Sequence, residues 1–364
     1  MDSKNIAIFI DSLGGGGAER IMLDLAEQMV GLTHNVHFFI LETVLDYTIP
    51  AGVVVHHFDT KQKRAKLTNA FNIGKSAKQL ARQVAMVESE IGLFDLHLVN
   101  LDSSNLLLSR CNFKNTYHVV HNSLHQEIQR AGRINPIRYW RTLREKRALD
   151  NKHLICVSEG VANEIRHSKW ISPKSIQTIY NPCDIEKIKT LSQESNDEIP
   201  NEPYLLHIGR VVKQKRHDIL FQALKDIPDI KLVVLCKNTK KVMKLANKMG
   251  VADRVIAPSF QKNPYNWMKN AKLMLFSSEF EGLGMVLIES LICGTPVVST
   301  DCDFGPREIL TGPLDNNLAE VNNPSDLATK ARQALSQDYE LNNLEIINKV
   351  GINKITQQYL KLIE

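Results

Sequence analysis

The chain of 364 residues has no apolar run approaching the roughly 18 residues needed to span a bilayer. Its amino terminus, MDSKNIAIFIDSLGGGG, offers only five consecutive apolar residues, Ile6 to Ile10. It has no small-residue cleavage site, so the pattern of a secretory leader is missing. None of the six cysteines (Cys111, Cys156, Cys183, Cys236, Cys293 and Cys302) belongs to a Cys-x-x-Cys pair. Several lie in strand-like runs such as LICVS and LVVLC, which reads as buried free thiols in a reducing compartment. No G-x-G-x-x-G precedes a ribose-binding carboxylate, and no Lys-Ser/Thr follows a glycine loop as in a P-loop. There is no low-complexity tract and no short-period repeat. The formal charge of +5 is too modest to indicate nucleic-acid binding. These absences predict a cytosolic globular protein without nucleic acid as a partner.

What is present is an alternation of short apolar runs with helical patterns. The strand candidates of the first half are Ile6–Ile10, Val36–Leu41, Val53–Phe58, Leu96–Leu101, Tyr117–His121, Leu154–Val157 and Ile176–Tyr180. In the second half they are Tyr204–Ile208, Lys231–Leu235, Val255–Ala257, Leu273–Phe276 and Pro296–Ser299. Helices such as Ala18–Val30, His217–Leu224 and Met285–Ile292 lie between them. Strands apolar on both faces and separated by helices argue for parallel sheets. The length suits two cores of about 180 residues each. The polar, acidic stretch Thr190–Pro203, closed by two prolines, reads as the entry to a second domain. The expectation is an α/β protein of two Rossmann-like βαβ domains, residues 1–182 and 183–350, followed by a helix over 351–364. Doubly wound sheets bind ligands beyond the carboxyl ends of their strands, which predicts a central cleft lined by both sets.

Three segments could carry chemistry. Gly14-Gly15-Gly16-Gly17-Ala18-Glu19-Arg20 follows a strand and opens a helix. Its backbone can approach a ligand closely, and a helix amino terminus favours negative charge; the plainer reading is a flexible turn. Gly209-Arg210-Val211-Val212-Lys213-Gln214-Lys215 leaves the strand Tyr204–Ile208. Arg210 and Lys215 could together neutralise a diphosphate, or simply form a solvated basic loop. The third segment, EFEGLGMVLIE from Glu279 to Glu289, is the strongest. Glu281 falls on a loop and Glu289 two turns into the helix that Gly282 and Gly284 open. Carboxylates accept hydrogen bonds from polyol hydroxyls, and free amides at a helix start bind hydroxyl or phosphate oxygen. The ordinary alternative is a capping glutamate plus an exposed helical one.

Taken together, GGAER, HIGRVVKQKRHD, EFEGLGMVLIE and SLICGTPVVSTDCDFGPREIL resemble glycosyltransferase family four, in order and over nearly the whole chain. The resemblance implies the GT-B fold, retention of anomeric configuration, an acceptor-binding first domain and a donor-binding second domain. It also implies a carboxy-terminal helix that crosses back onto the first domain. It implies that Arg210 and Lys215, just after Gly209, bind the donor diphosphate, and that Glu281 lies beside the donor sugar. Gly282, Leu283 and Gly284 would offer amides to hydroxyls or phosphate, and Glu289 would hold the ribose. Gly16 and Gly17 would lie near the donor phosphates and acceptor, and His121 would contact the transferred sugar. The nearest likeness is to bacterial enzymes that build lipid-linked or lipopolysaccharide glycans.

No metal or other cofactor is expected. His118, His121 and His125 resemble a metal cluster, but strand residues three apart face opposite sides. Asp301-Cys302-Asp303 spells D-x-D where the resembled family has variable residues, and is read as coincidence. Two basic segments remain. From Lys61 to Val87 there is no acid, and Lys61, Lys63, Arg64, Lys66, Lys75, Lys78 and Arg82 oppose an apolar helical face of Leu67, Ala70, Phe71, Gly74, Ala77, Leu80 and Val84. From Arg130 to Arg147 there are seven bases around Tyr139 and Trp140. Such faces suit an anionic membrane surface or a phosphorylated acceptor, or are merely solvated. The expected partners are a nucleotide-diphosphate sugar, with uridine diphosphate guessed, a glycan or glycolipid acceptor, and the inner face of the cytoplasmic membrane. No motif plainly supplies a carboxylate nucleophile, and the resemblance implies front-face attack. The rival readings are a sugar-nucleotide epimerase and a non-catalytic subunit of a two-chain transferase.

Overall fold

The computed structural model describes residues 2–58, 64–341 and 343–363. Lys61 and Lys63 of the first basic run, the side chain of Arg64, and the last residue of the 351–364 helix lie outside what is described. The chain divides into two compact units: Met1–Pro182 with Ile352–Glu364, and Cys183–Gly351. The second unit begins ahead of the polar stretch read as its entry. Leu191 O and the Glu194 carboxylate accept hydrogen bonds from Asn263, both at 2.8 Å, so much of that stretch is tied down within the unit.

The first unit holds a parallel sheet of β1 (Asn5–Ile10), β2 (Asn35–Ile40), β3 (Val53–His57), β4 (Leu96–Asn100), β5 (Thr116–Val120), β6 (His153–Cys156) and β7 (Ser175–Thr178), in the order β3-β2-β1-β4-β5-β6-β7. The near-continuous burial of NIAIFI and LHLVN reflects central strands covered by helices on both faces. The edge strands β3 and β7 carry more polar residues and are half exposed. Phe9, Phe39, Leu80, Val84, Val99 and Leu107 belong to one core. The helix Ile352–Leu360 belongs to this unit: Gln28 Nε2 on the helix Gly17–Gly31 donates to Asn353 Oδ1 at 2.8 Å, and Tyr359 is fully buried. The carboxy-terminal segment therefore returns to the first sheet.

The second unit holds β8 (Tyr204–Ile208), β9 (Lys231–Leu235), β10 (Val255–Ile256), β11 (Leu273–Phe276), β12 (Val297–Thr300) and β13 (Leu318–Ala319), all parallel, in the order β10-β9-β8-β11-β12-β13. Its core gathers Leu205, Leu220, Phe221, Val234, Leu275 and Val298. β12 starts one residue later than the sequence predicts because Pro296 has no N–H to give the ladder; its carbonyl accepts from Met274 instead. β13 has only two residues and follows the polar run DNN, which left it without a periodic signal.

In both sheets the strand order reverses once, between β1 and β4 and between β8 and β11. Connections leave such a point in opposite directions, opening a crevice at the carboxyl ends of the two strands.

One expected face is corrected. Leu67 is buried, but Ala70, Phe71 and Gly74 are exposed, Phe71 to 96%. The Asn69 carboxamide oxygen accepts from the N–H groups of Phe71 and Asn72, making a turn that interrupts the helix. The long helix starts afresh at Ile73 and buries Ile73, Ala77, Leu80, Val84 and Val87.

Candidate active site

In the second unit the loops after β8 and β11 meet at the strand-order reversal. Gly209 N–H donates to Leu235 O, and a Cβ on Gly209 would come within 3.1 Å of His207 Nε2, so this turn favours glycine. The chain then tightens into a short 3₁₀ turn, Lys213–Lys215. Three backbone-anchored bonds lock this loop to the next. Gln214 Nε2 donates to Phe280 O at 2.8 Å, Glu279 N–H donates to Gln214 O at 2.8 Å, and Ser277 Oγ donates to Lys215 O at 2.8 Å.

The result is a close charge pair. Lys215 Nζ lies 2.8 Å from Glu281 Oε1, with both side chains largely buried, and stands 4.5 Å from the centroid of the Phe276 ring. The ammonium is thus held by a carboxylate on one side and an aromatic face on another. Arg210 is exposed, and its guanidinium makes no ion pair or hydrogen bond among the described residues. Beneath Lys215, His207 Nδ1–H donates to Leu275 O at 2.9 Å, and its ring packs edge-on against His217. Burial holds His207 well below the ordinary histidine range and His217 down at about 4. Both are neutral at pH 7, so the basic charge here comes from Lys215 and Arg210.

Gly282, Leu283 and Gly284 lead from Glu281 into the helix Met285–Ile292. Gly284 has φ +89°, and no side chain caps the helix start, which leaves its first amides without a side-chain acceptor there. The segment is pinned from behind. Glu281 N–H donates to Asp303 O at 3.2 Å, and a Cβ on Gly305 would lie 2.0 Å from Leu283 O. Glu289 lies on this helix, where Tyr265 Oη–H donates to its Oε1 at 3.4 Å. The structure therefore brings Gly209, Lys215 and Glu281 into one cluster, with Arg210 beside it, while Glu289 stands farther along the helix.

In the first unit the corresponding reversal joins the loops after β1 and β4. Gly16 caps the helix Gly17–Gly31, and a Cβ there would collide with the Glu19 carboxylate at 2.2 Å; Gly17 has open space. Tyr47 Oη–H donates to Gly16 O at 3.1 Å. His121 is the first residue beyond β5, not its last, because the ladder ends at Val120. Its Nε2 lies 2.8 Å from Asn100 Oδ1, and burial lowers it to about 4. His118 is bonded separately to Asn105 Oδ1 at 2.9 Å, and His125 packs edge-on against Trp170. Asp301 of the D-x-D string is paired with Arg307, while Asp303 offers its carbonyl to Glu281. Among the described residues no three His, Cys, Asp or Glu side chains gather closely enough to hold a metal ion.

Residues 15–187 match the family described as Glycosyltransferase Family 4, and residues 188–349 match Glycosyl transferases group 1. The chain belongs to the family-four glycosyltransferases. It is 27% identical over 361 residues to the N-acetylgalactosamine-N,N'-diacetylbacillosaminyl-diphospho-undecaprenol 4-alpha-N-acetylgalactosaminyltransferase of Campylobacter jejuni, covering 92% of this chain and 91% of that one. It is 28% identical over 173 residues to the lipopolysaccharide 1,6-galactosyltransferase of Salmonella typhimurium, covering 45% of this chain and 47% of that one. Among solved structures, Anabaena HepE in complex with UDP and glucose superposes with a TM-score of 0.74 at 18% identity, covering 98% of each chain. The fold is GT-B.

Several residues of this glycosyltransferase escaped the sequence reading. Asp11 is buried at the end of β1, where its carboxylate accepts from Ser103 N–H, Ser104 N–H and Ser104 Oγ–H. A charge abutting the apolar run Ile6–Ile10 was the available signal. Asn100, fully buried at the end of β4, and Gly305 carry no such mark. The second basic segment is also less uniform than its composition predicts. Lys146 is buried between Asp102, at 2.7 Å, and Glu127, which together raise its affinity for the proton despite burial. It belongs to an internal charge cluster. Arg141 pairs with Glu145 at 3.0 Å, and Arg144 donates to Thr68 O. Ile137 and Trp140 stand out from the same helix, 83% and 64% exposed. Lys75, Lys78 and Arg82 line an open hollow of about 490 Å³ on the first helix face. No helix among the described residues is long and apolar enough to cross a membrane.

Proposed function

We propose that the enzyme transfers a hexose or N-acetylhexosamine, with retention and without a metal, from a uridine diphosphate sugar to a lipid-linked or lipopolysaccharide glycan. The observation that carries the reading is the Lys215–Glu281 pair at the β8–β11 reversal, with the guanidinium of Arg210 unengaged beside it. A donor diphosphate arriving there meets two cations with donor hydrogens to spare. Cleavage of the anomeric bond places negative charge on the leaving phosphate. Lys215, Arg210 and the amides at Gly282–Gly284 stabilise that charge as it grows. Glu281 orients Lys215 and accepts from a sugar hydroxyl, and Glu289, steadied by Tyr265, accepts from the ribose. Gly16, Gly17 and His121 serve the acceptor and the transferred sugar. The leaving phosphate takes the acceptor proton in a front-face attack.

The acceptor class is supported by the Campylobacter relative, named for transfer onto a diphospho-undecaprenol glycan, and by the Salmonella relative, named for lipopolysaccharide. Exposed Phe71, Ile137 and Trp140 interspersed with arginine and lysine suit peripheral contact with an anionic inner membrane.

The test is a melting-temperature screen with uridine, guanosine and adenosine diphosphates and their sugars, on the wild type and Arg210→Ala. Native-state ligands raise the melting temperature by mass action. A rise with uridine diphosphate that shrinks in Arg210→Ala is expected, followed by transfer to a lipid-linked acceptor that survives chelation and keeps the anomeric configuration. Sugar isomerisation without acceptor would replace the reading by the epimerase, and transfer only with a second protein by the subunit. Flotation with anionic but not zwitterionic liposomes, weakened in Ile137→Ser and Trp140→Ala, checks the membrane contact.

A further inference from the structure

The hydrogen bonds that link β1, β4 and the residue after β5 leave little choice of direction. Phe9 O, near the end of β1, can only accept. The fully buried Asn100, last residue of β4, therefore turns its Nδ2 to that carbonyl, at 3.4 Å. Its Oδ1 is left facing His121 Nε2 at 2.8 Å. Oδ1 also can only accept, so Nε2 carries the imidazole proton. Burial alone lowers the proton affinity of His121, with no charged group contributing, so the ring is neutral at pH 7. Nδ1 then holds a lone pair, and the one side-chain hydrogen bond His121 makes among the described residues is through Nε2.

Asn100 is itself held in one place. The next residue, Leu101, sits at φ 69°, ψ 162°, a region nearly reserved for glycine. Contacts on the far side of the turn keep it there. Asp11 accepts from Ser103 and Ser104, and Lys146 Nζ bonds Asp102 at 2.7 Å. A strained turn clamped on its far side, directly after a buried carboxamide, fixes where that carboxamide can reach. The place is the β1–β4 reversal, where doubly wound sheets bind ligands.

We propose that Asn100 is a positioning residue: it locks His121 as the Nε2–H tautomer, so the imidazole presents Nδ1 as an acceptor for a sugar hydroxyl. The role in transfer rests on the function proposed above, whereas the tautomer does not. Protein labelled with ¹⁵N-histidine tests it, with the His121 signals of the long-range proton–nitrogen spectrum assigned by their loss in His121→Gln. At pH 7 the wild type should show Nε2 protonated and Nδ1 bare. Asn100→Leu, which removes the acceptor at similar volume, should shift the proton to Nδ1 or give an exchanging mixture. Asn100→Asp, which keeps an acceptor, should retain the wild-type pattern. A wild-type ring protonated at Nδ1, or a pattern unchanged in Asn100→Leu, overturns the proposal; the wild-type spectrum decides alone if the leucine variant does not fold. In transfer assays Asn100→Leu should lower kcat/KM about tenfold, equivalent to about 1.4 kcal/mol. Its melting response to uridine diphosphate should be kept, and Asn100→Asp should recover most of the rate. Wild-type kcat/KM in Asn100→Leu overturns the positioning role. A wild type that transfers from no nucleotide sugar sinks the transferase reading, and the spectrum still decides the tautomer.

Discussion

Replacing Glu281 by Gln removes the charge of one partner in the Lys215–Glu281 pair and almost none of its volume. At 2.8 Å, and at an effective dielectric constant of about 20, the attraction is about 6 kcal/mol before desolvation of both ions is subtracted. Breaking one side of a fully buried pair costs about 3–5 kcal/mol. Here the side chains retain 15% and 11% of their exposure and the glutamine carbonyl still accepts from Lys215, which lowers the cost to about 2 kcal/mol. In a domain of this size each kcal/mol moves the melting temperature by about 2–4 °C, so a fall of about 4–8 °C is expected. The same change leaves Lys215 without its counter-charge, and a bound diphosphate restores one. Uridine diphosphate should therefore raise the melting temperature of Glu281→Gln by more than it raises the wild type at equal concentration, while kcat falls. Differential scanning calorimetry with and without the nucleotide measures both. A variant that melts within about 1 °C of wild type and responds equally to the nucleotide refutes the idea that this pair is poised for phosphate.

Three further outcomes are expected. Gly305→Ala places a methyl group against Leu283 O at a φ of +90°, so the Glu281–Gly284 segment must move; the melting temperature should fall and the response to uridine diphosphate should weaken, both read in one thermal scan. Lys146→Met leaves Asp102 and Glu127 facing each other without their cation; a loss of about 1–3 kcal/mol is expected, checked by urea denaturation, since both carboxylates keep partial access to water. Stability should also fall with acid. His97 is lowered from 6.5 to about 4 by burial, and His118 to about 3. The unfolded chain therefore binds protons below pH 6.5 that the folded chain refuses until about pH 4. Their contribution is complete above pH 6.5 and is lost as pH falls toward 4, by up to about 3 kcal/mol for His97. Denaturant midpoints from pH 7.5 to 4.5 should show this slope, flattened in His97→Phe, where a phenyl ring can keep the stack on Phe113.

The alternation of apolar runs and helical patterns was enough to place twelve strands to within a residue or two, because a strand covered on both faces must be apolar at nearly every position. Charge and glycine spacing marked Arg210, Lys215, Glu281 and Gly284, since loops that approach a ligand need those residue types locally. Local pattern does not tell which distant segments meet. Only the strand order, with reversals at β1–β4 and β8–β11, sets Lys215 against Glu281 and Asn100 against His121. Composition likewise assigned Lys146 to a basic surface, whereas packing buried it between two carboxylates. Phe71 passed for core until the Asn69 turn broke the helix beneath it. Sequence alone determined the element types, the two-sheet architecture and the chemistry of the loops, because those follow from periodicity and backbone preference. Tertiary structure decided which charges pair, which ring nitrogen of His121 meets Asn100 and which apolar side chains stay in water, because each depends on atoms brought together from far apart in the chain.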